Sequence, residues 1–459
     1  MIELPPDLQG RLISHGQEHI LAWWSHLDEA SQQDLLDQLK SLDLEQLTRL
    51  YRQREKTETP VPLDKIKPVP VIPGDSPHRH ERKRLGEEAF RRGEIAALVV
   101  AGGQGSRLGF EHPKGMYPIG PLSGKSLFHI HAAKVAALGR RYGKPVPFLV
   151  MTSPATHEET LEYFHQENYL GLSKKDVYFF CQDTMPSLDL ATGKLLFEAP
   201  GRLFLSPDGH GGTLTALAKS GVLSAMQERG VRHLSYFQVD NPLVRIGDPV
   251  FLGHHLHARA EVSSKVIAKR DYKEKMGVFT QIDGRCTIVE YSDLPESLAR
   301  ETDEHGRLRL WAGSPAIHLF EVAFLERMTR DPDRLPFHLA RKKVSCLDAS
   351  GKLFQPAREN ALKFERFIFD VLPAAERWTV VEGQREEDFA PLKNPSGEDS
   401  AHTCQQAIMD QARRWLHAAM ARLEPGLRLE VSPLFALDAE ELAQKIPAGS
   451  HISTDRYFD

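Results

Sequence analysis

The sequence contains little cysteine, and this scarcity excludes a protein held together by disulfides. Only four of its 459 residues are cysteines. They are Cys181, Cys286, Cys346 and Cys404, which lie far apart and form no Cys-x-x-Cys pair. Four cysteines are too few for a disulfide scaffold in a chain of this length, and they fit the reducing conditions of the cytosol. We therefore expect a cytoplasmic protein.

The sequence also lacks long apolar runs, a basic leader and an excess of positive charge. The apolar run Ile95–Ala101 is far shorter than the roughly 20 residues that a membrane helix needs. The chain starts with Met-Ile-Glu-Leu-Pro-Pro, which has no basic region before an apolar one, so no signal peptide is expected. Fifty-eight basic against 63 acidic residues give a net charge of −5, which argues against a general nucleic-acid binder. The chain is 41% hydrophobic and 26% charged, as in soluble globular proteins.

Length and local patterning predict three domains, since a domain takes roughly 150 residues. We expect an N-terminal helical domain with a Pro-rich linker over 1–93, a central domain over 94–385 and a small C-terminal α+β domain over 386–459. Helical spacing of apolar residues fills the first 56 residues, with helix starts predicted at Ser31 and Asp43. Six prolines then fall within 18 residues, which predicts extended backbone without a regular ladder.

In the central domain the sequence pattern predicts short buried strands that alternate with helices. This alternation is typical of a mostly parallel α/β sheet covered on both faces. The predicted strands are Ile95–Val100, Pro147–Thr152, Val177–Cys181 and Leu234–Val239. The predicted helices between them are Leu127–Leu138, His157–Gln166 and Thr213–Arg229. Three further runs lack intervening helices and predict a meander added to the sheet; they are Lys265–Lys269, Gly277–Ile282 and Cys286–Tyr291.

The loop after the first of these strands carries the clearest chemical signal. The strand ends at Ala101, and four glycines follow within eight residues, namely Gly102, Gly103, Gly105 and Gly109. Glycines at the carboxyl end of a strand let backbone N–H groups approach an anion closely. Arg107 and Lys114 add fixed positive charge, so we expect a phosphate-binding loop. Leu108 breaks the spacing of a dinucleotide fingerprint and Ile119 that of a P-loop, so both of those interpretations are rejected.

This loop, Ala-Gly-Gly-Gln-Gly-Ser-Arg-Leu-Gly followed by Pro-Lys-Gly-Met-Tyr, resembles the signature of the eukaryote-type UDP-sugar pyrophosphorylases (UDPGP type 1). The pattern is most similar to the UDP-N-acetylglucosamine members of that family. Further blocks resemble the family in its own order, and the resemblance covers about 95–395. These blocks are Phe179–Gln182, Pro207–Gly212, Val239–Val244, Val289–Ser292, Leu362–Asp370 and Phe389–Asn394.

The resemblance implies a fold and an activity. It implies a mixed, mostly parallel nucleotide-binding sheet like that of the GT-A-like nucleotidyltransferases. It also implies a uridylyltransferase that makes UDP-sugar and pyrophosphate from UTP and a sugar 1-phosphate, with Mg²⁺ as cofactor. The sugar-phosphate oxygen attacks the α-phosphorus in line, so the protein has to hold two anions and neutralise developing charge rather than supply a nucleophile. N-acetylglucosamine 1-phosphate is the favoured substrate.

The resemblance also assigns roles to residues at matching positions. The implied catalytic residues are Arg107, Lys114 and Lys393. The implied UTP-binding residues are Val100, Ala101, Gly102, Gly103, Lys114, Gln182, Gly209, Asp240 and Lys363, with Asp240 also as the metal ligand. The implied sugar-phosphate residues are His210, Glu290, Tyr291, Ser314 and Lys393. Taken alone, Asp240 also fits a turn before Asn241-Pro242, and the later lysines also fit an ordinary surface.

Departures from the family pattern leave the sugar open. The acetylglucosamine enzymes have asparagine where this chain has His210, whereas glucose-type enzymes carry histidine in this loop. In the stretch Trp311–His318, Ser314 and Ile317 replace the two interior asparagines of the family pattern, and Trp311 replaces its first asparagine. Glucose or galactose 1-phosphate therefore stays an alternative substrate.

Two other classes of protein also stay open. A non-catalytic UDP-sugar-binding protein is one, although it would have no need for all the phosphate-binding charges. A glycosyltransferase is the other, although Asp240-Asn241 lacks the second Asp of an Asp-x-Asp motif. The oligomeric state is unknown from the sequence, with a monomer slightly favoured.

Overall fold

The computed structural model describes residues 2–54, 63–331, 335–348 and 350–459. The chain forms two compact units, each assembled from three separate segments. The smaller unit comprises Met1–Val61, Asp183–Gly212 and Leu335–Ile368. The larger unit comprises Pro62–Gln182, Thr213–Arg334 and Phe369–Asp459. These units are spatial groupings, and the three-part division with boundaries at 93/94 and 385/386 stays a prediction.

The elements are numbered along the chain. The helices are α1 (Pro6–Ser14), α2 (Glu29–Ser41), α3 (Leu44–Gln53), α4 (Arg79–Arg92), α5 (Leu127–Tyr142), α6 (His157–Gln166), α7 (Thr213–Lys219), α8 (Val222–Glu228), α9 (Pro249–His257), α10 (Glu296–Ala299), α11 (Val322–Thr329), α12 (Arg385–Asp388), α13 (Ala401–Ala418) and α14 (Ala439–Lys445). The strands are β1 (Lys67–Pro68), β2 (Ile95–Val100), β3 (Phe148–Thr152), β4 (Val177–Cys181), β5 (Thr184–Pro186), β6 (Leu188–Asp189), β7 (Phe197–Ala199), β8 (Arg202–Leu203), β9 (Leu205–Pro207), β10 (His233–Gln238), β11 (Val262–Ala268), β12 (Val278–Ile282), β13 (Arg285–Val289), β14 (Ala312–Gly313), β15 (His318–Glu321), β16 (His338–Lys342), β17 (Cys346–Leu347), β18 (Leu353–Phe354), β19 (Ala361–Glu365), β20 (Trp378–Glu382), β21 (Arg422–Leu423), β22 (Leu429–Val431), β23 (His451–Ile452) and β24 (Arg456–Phe458).

The smaller unit packs the N-terminal helices against short strands. Its core combines leucines of α1, α2 and α3 with apolar residues of β6, β7, β8 and β19. Asp43 caps α3 as predicted, because its carboxylate accepts the N–H of Gln46. The start predicted at Ser31 is wrong: α2 begins at Glu29, and Asp28 is the cap that accepts the N–H of Ser31. An aspartate three residues earlier in the chain thus takes the capping position.

The larger unit contains one mixed sheet, which confirms the predicted α/β class. Its strand order is β1-β12-β14-β11-β15-β10-β2-β3-β4, with β13 paired to β12 and β20 paired to β11. The strands β10, β2, β3 and β4 run parallel, whereas β15 is antiparallel to both of its neighbours. The predicted meander is only partly right, since β12 and β13 form a hairpin but β14 separates β12 from β11. The added strands therefore extend the sheet without following chain order.

Two other predictions of local structure need correction. The helix predicted over Thr213–Arg229 is broken into α7 and α8, because Gly221 takes a positive φ of 73° between them. The Pro-rich segment was predicted to form no ladder, yet Lys67–Pro68 pairs with β12 at the edge of the sheet, where a proline is tolerated. Pro60 and Pro62 lie outside the described residues.

The C-terminal part of the larger unit has a small core of its own, centred on α13, β22 and α14. A capping box starts α13, since Ser400 and Thr403 bond each other's backbone N–H groups. Apolar and helix-forming residues predict a helix over roughly Ala401–Leu423, but α13 ends at Ala418, because Arg422 and Leu423 form a strand paired with β23. This C-terminal part belongs to the same unit as the large sheet. It combines helices with short strands, as predicted for an α+β fold.

Candidate active site

Parallel strands place several predicted residues along one edge of the larger unit's sheet. The carboxyl ends of neighbouring parallel strands lie side by side, and ligands bind there in open α/β sheets. Val100 ends β2 and leads into Ala101 and the glycine loop. Gln182 directly follows β4, and its backbone N–H donates to the carbonyl of Thr152 at the end of β3 (2.9 Å). Asp240 follows β10, the parallel partner of β2 on its other side.

Close contacts with neighbouring residues, more than unusual backbone angles, explain why glycines occupy this loop. A Cβ on Gly102 would lie 3.2 Å from the Cβ of Ser153, and one on Gly105 would lie 2.7 Å from the ring of Phe110. Only Gly109 of the four glycines has a positive φ, at 70°. The space at Gly103 is open, so this glycine leaves the backbone accessible. One glycine of this loop thus needs the left-handed backbone region, and two others are required by close contacts within the protein.

Lys114 and Asp240 form the central ion pair of this edge. The loop folds back so that the N–H of Lys114 donates to the carbonyl of Gly103 (3.0 Å). The Nζ atom of Lys114 then lies 3.6 Å from Oδ2 of Asp240, and their side chains are 20% and 11% exposed. A partly buried ammonium beside the loop and a partly buried carboxylate are suited to phosphate and to a hard cation respectively.

The other two predicted catalytic residues differ in their surroundings. Lys393 is half-buried, and the N–H of the preceding residue, Leu392, donates to the carbonyl of Asp240 (2.8 Å). The structure therefore brings the backbone at Lys393 next to the Lys114–Asp240 pair. Arg107 is exposed on the short 3₁₀ turn Ser106–Leu108 of the glycine loop. An exposed guanidinium on such a loop is available to a phosphate but is not fixed by packing.

Glu290 and Ser314, two predicted sugar residues, converge on Gly277. The N–H of Ser314 donates to the carbonyl of Gly277 (2.9 Å). A Cβ on Gly277 would lie 3.0 Å from Oε1 of Glu290, so the carboxylate is close to the same residue. Tyr291 follows Glu290 and is 48% exposed. Ile317, by contrast, is buried in the core of the larger unit with Leu319 and Phe237. The replacement of a family asparagine by Ile317 therefore does not change a surface that a sugar could contact.

The remaining predicted residues lie in the smaller unit. Gly209 has a φ of 84°, and a Cβ there would lie 2.4 Å from the carbonyl oxygen of Arg366. His210 accepts the N–H of Ile368 at Nδ1 (3.2 Å), and burial lowers the pKa of His210 to about 4. Lys363 lies on β19 with Nζ 5.0 Å from the ring centre of Phe204, and burial lowers the pKa of Lys363. The loop at Gly209 therefore packs within the smaller unit against Arg366, just beyond the end of β19.

Sequence reasoning missed a buried polar cluster beside Asp240. Asn241 is 2% exposed and Asp388 is fully buried, and the amide of Asn241 donates to the carbonyl of Asp388 (2.7 Å). Asn241 was interpreted only as part of a turn, and Asp388 lies one residue before a recognised block. The signal available in the sequence was their position: Asn241 lies within the block Val239–Val244, and Asp388 directly precedes the block Phe389–Asn394.

Comparison with known protein families identifies the family of this chain. The sequence model of the family described as UTP–glucose-1-phosphate uridylyltransferase (UDPGP) matches residues 43–441. The chain belongs to this family. The matched region includes every predicted site residue, from Val100 to Lys393.

Individual members of the family match over nearly the whole chain. The UDP-N-acetylglucosamine pyrophosphorylase of Saccharomyces cerevisiae is 33% identical over 460 residues, covering 95% of this chain and 96% of its own. The human UDP-N-acetylhexosamine pyrophosphorylase-like protein 1 is 34% identical over 475 residues, covering 95% of this chain and 94% of its own. The crystal structure of the Trypanosoma brucei uridine diphosphate N-acetylglucosamine pyrophosphorylase in complex with an inhibitor is similar with a TM-score of 0.82, at 26% identity and 99% coverage of both chains.

Two further observations concern membranes and metals. Across the described ranges, none of the helices is both long and apolar enough to span a bilayer. The same part of the chain holds no cluster of three or more His, Cys, Asp or Glu side chains placed to bind a metal by themselves.

Proposed function

We propose that this member of the family joins UTP to N-acetylglucosamine 1-phosphate and releases pyrophosphate. The observation that carries the proposal is the Lys114–Asp240 pair, 3.6 Å apart, beside a glycine loop at the carboxyl edge of a parallel sheet. Such an edge is where open α/β sheets bind nucleotides. The names of the relatives given above support the choice of sugar.

In the proposed reaction an oxygen of the sugar phosphate attacks the α-phosphorus of UTP. A new P–O bond forms as the bond between the α-phosphorus and its bridging oxygen to the β-phosphate breaks, and the electron pair leaves with pyrophosphate. We assign binding of the UTP phosphates to the backbone of Gly102 and Gly103 and to the ammonium of Lys114. Lys393 and Arg107 would neutralise charge on the sugar phosphate and on the transferring group. Fixed cations that face the developing charge accelerate such a transfer.

The chemistry of Asp240 fits Mg²⁺. Its carboxylate is 11% exposed and lies at the strand edge, and Mg²⁺ is usually bound by one or two carboxylates together with substrate phosphates. Asp240 would hold the ion, which when bound would neutralise phosphate charge. The magnesium requirement is therefore part of the proposal.

Other roles in the proposal concern the base and the sugar. Gln182, 6% exposed, has an amide that can pair with both a donor and an acceptor on the uracil edge. Glu290 and Ser314, which both approach Gly277, are assigned to the sugar together with Tyr291. The roles implied for Gly209, His210 and Lys363 stay predictions about residues of the smaller unit.

Location and oligomeric state belong to the same proposal. We propose a cytoplasmic location, because four cysteines are too few for a disulfide scaffold in a chain of this length. A monomer is proposed as well, and light scattering of the purified protein tests it.

A second candidate is a uridylyltransferase of broad sugar specificity that also uses glucose or galactose 1-phosphate. The observation in its favour is that His210 and Ser314 stand where the acetylglucosamine enzymes have asparagines. A hydroxyl offers one donor where an asparagine amide offers two donors and a separate acceptor. Fewer dedicated hydrogen-bonding groups allow a wider range of sugars.

Pyrophosphate release from UTP and a panel of sugar 1-phosphates tests the proposal. We expect turnover that requires UTP, a sugar 1-phosphate and Mg²⁺ together, with N-acetylglucosamine 1-phosphate as the preferred acceptor. Binding of UDP-sugar without any pyrophosphate release would instead identify a non-catalytic binding protein. Release that occurs only with glucose or galactose 1-phosphate would favour the second candidate.

A further inference from the structure

Four charged side chains are packed together in the larger unit; Lys265, Asp248 and Asp388 are buried, and Arg245 is 27% exposed. Lys265 on β11 donates to Oδ2 of Asp248 and to Oδ1 of Asp388, both at 2.8 Å. Arg245 donates to both carboxylate oxygens of Asp388, at 3.0 and 2.9 Å. Burial alone would raise the pKa of Asp388, but Arg245 and Lys265 hold it at about 2. Two cations and two carboxylates compensate each other, which a buried charge requires.

The same cluster anchors the start of the segment that leads to Lys393. Asp388 receives three hydrogen bonds from Arg245 and Lys265. Asp388 lies on α12, and Lys393 lies only five residues further along the chain. The cations come from β11 and from the chain after β10, so Asp388 ties this segment to the sheet.

Asn241 holds the next part of the segment directly. Its side-chain amide donates to the carbonyl of Asp388 (2.7 Å), and its side-chain oxygen accepts the N–H of Ala390 (3.1 Å). The N–H of Leu392 then donates to the carbonyl of Asp240 (2.8 Å). Anchors at alternate residues 388, 390 and 392 fix an extended segment against Asp240 and Asn241. Lys393 is the next residue.

We infer that Asn241 and Asp388 are positioning residues that fix Lys393 relative to Asp240. The inference rests on the proposed function, since Lys393 matters only if charge has to be neutralised there. A lysine side chain has many rotamers, and its ammonium can be placed accurately only if its backbone is fixed. Rigid anchoring of the backbone through side chains that do not touch the substrate provides this.

A double-mutant cycle tests the inference. The four proteins are the wild type, Asn241→Ala, Lys393→Ala and the double variant, all assayed for pyrophosphate release. We expect Asn241→Ala to lower kcat about 10²-fold, the effect of misplacing a catalytic group by roughly 1 Å. The KM for UTP should stay within about threefold, because Lys393 is not assigned to UTP. In the Lys393→Ala background the same substitution should lower kcat by no more than about twofold.

Asp388→Asn repeats the test through a second side chain, with Glu261→Gln as its matched control. Glu261 is also buried in the larger unit, and its carboxylate accepts from Arg327 (2.7 Å) and from the N–H of Glu376 (2.6 Å). Both substitutions remove one buried negative charge. We expect both to lower the denaturant midpoint, but only Asp388→Asn to lower kcat, by about 10²-fold.

Several outcomes would overturn the inference. It fails if the folded Asn241→Ala or Asp388→Asn protein keeps kcat within about twofold of the active wild type. It also fails if Asn241→Ala lowers kcat equally in both backgrounds, or if Glu261→Gln loses as much kcat as Asp388→Asn. Should Asn241→Ala not fold, Asp388→Asn in the same cycle with Lys393→Ala gives the decision. A wild type that releases no pyrophosphate refutes the proposed function itself, and this inference with it.

Discussion

Replacing Lys114 by alanine gives the most direct test of the proposed chemistry. The ammonium of Lys114 lies 3.6 Å from Asp240, and its side chain is 20% exposed. Truncation at Cβ removes that charge from a loop whose backbone is held by the hydrogen bond between Lys114 N–H and the Gly103 carbonyl. Because this bond uses the backbone alone, the loop should keep its shape in the variant. The loss should therefore report on charge rather than on folding.

The size of the effect follows from the geometry. Two unit charges about 4 Å apart interact by roughly 1 kcal/mol in bulk water and by roughly 4 kcal/mol at the effective dielectric near a protein surface. Because Lys114 and Asp240 are partly buried, the interaction energy at this site is closer to the value near a protein surface than to the value in bulk water. Removing one donor aimed at transition-state charge costs about 2.7–4 kcal/mol, or 10²–10³-fold. We expect Lys114→Ala to lower kcat/KM by at least about 10²-fold.

The assay measures pyrophosphate release over a range of UTP concentrations with the sugar 1-phosphate in excess. Lys144→Ala is the matched control, because Lys144 is an exposed lysine in the loop after α5, remote in sequence from every predicted site residue. Lys114→Arg keeps the charge but changes its shape, so partial activity is expected. A folded Lys114→Ala protein with kcat/KM within a few-fold of the control would refute the assigned role.

Three further predictions concern metal, pH and sugar. Asp240→Asn should nearly abolish turnover and raise the Mg²⁺ concentration for half-maximal activity, while calorimetry without metal still detects UTP binding; an unchanged Mg²⁺ midpoint would contradict the ligand assignment. Burial lowers the pKa of His131 to about 3 and that of His233 to about 4. These histidines contribute stability that is complete above their unfolded pKa of about 6.5 and is lost as pH falls below it. The urea midpoint should thus be lower at pH 5 than at pH 7.5, and equal midpoints would disprove the linkage. For the sugar, kcat/KM should differ by nearer 10²-fold than 10⁵-fold between N-acetylglucosamine 1-phosphate and glucose or galactose 1-phosphate, and a strict preference of about 10⁴-fold or more would show that the pocket is specific.

The strand edge could be predicted from the sequence because its signals are local. The apolar runs give β2 and β4 their observed bounds, Ile95–Val100 and Val177–Cys181. Gly102, Gln182 and Asp240 lie just after parallel strands, whose carboxyl ends share one edge of the sheet, and the family resemblance assigned all three to UTP. The parallel pairing of β10 with β2 then puts the Asp240 strand beside the glycine loop.

The long-range assembly could not be predicted in this way. The smaller unit combines Met1–Val61 with Asp183–Gly212 and Leu335–Ile368, and no local pattern indicates that segments so far apart in sequence share a core. The same holds for the buried cluster, in which Arg245 and Asp388 are 143 positions apart. Hydrophobic periodicity indicates which apolar residues are buried. A charged residue is buried only when a residue of opposite charge pairs with it, and local sequence does not reveal that partner. Charged residues in a sequence are therefore assigned to the surface by default.

We expect sugar choice to depend on fewer of the replaced positions than the sequence suggests. Of the two interior asparagines replaced in the stretch Trp311–His318, one is replaced by Ile317, which packs in the core and offers nothing to a ligand. The other is Ser314, whose backbone lies against Gly277 close to Glu290. The hydroxyl of Ser314 already accepts the N–H of Ala316 at 3.3 Å, so a single proton is left to donate to a substrate. A sugar without an N-acetyl carbonyl leaves this one hydroxyl proton without an acceptor, which costs little binding free energy. A site rejects the wrong substrate strongly only when that substrate leaves buried polar groups unpaired.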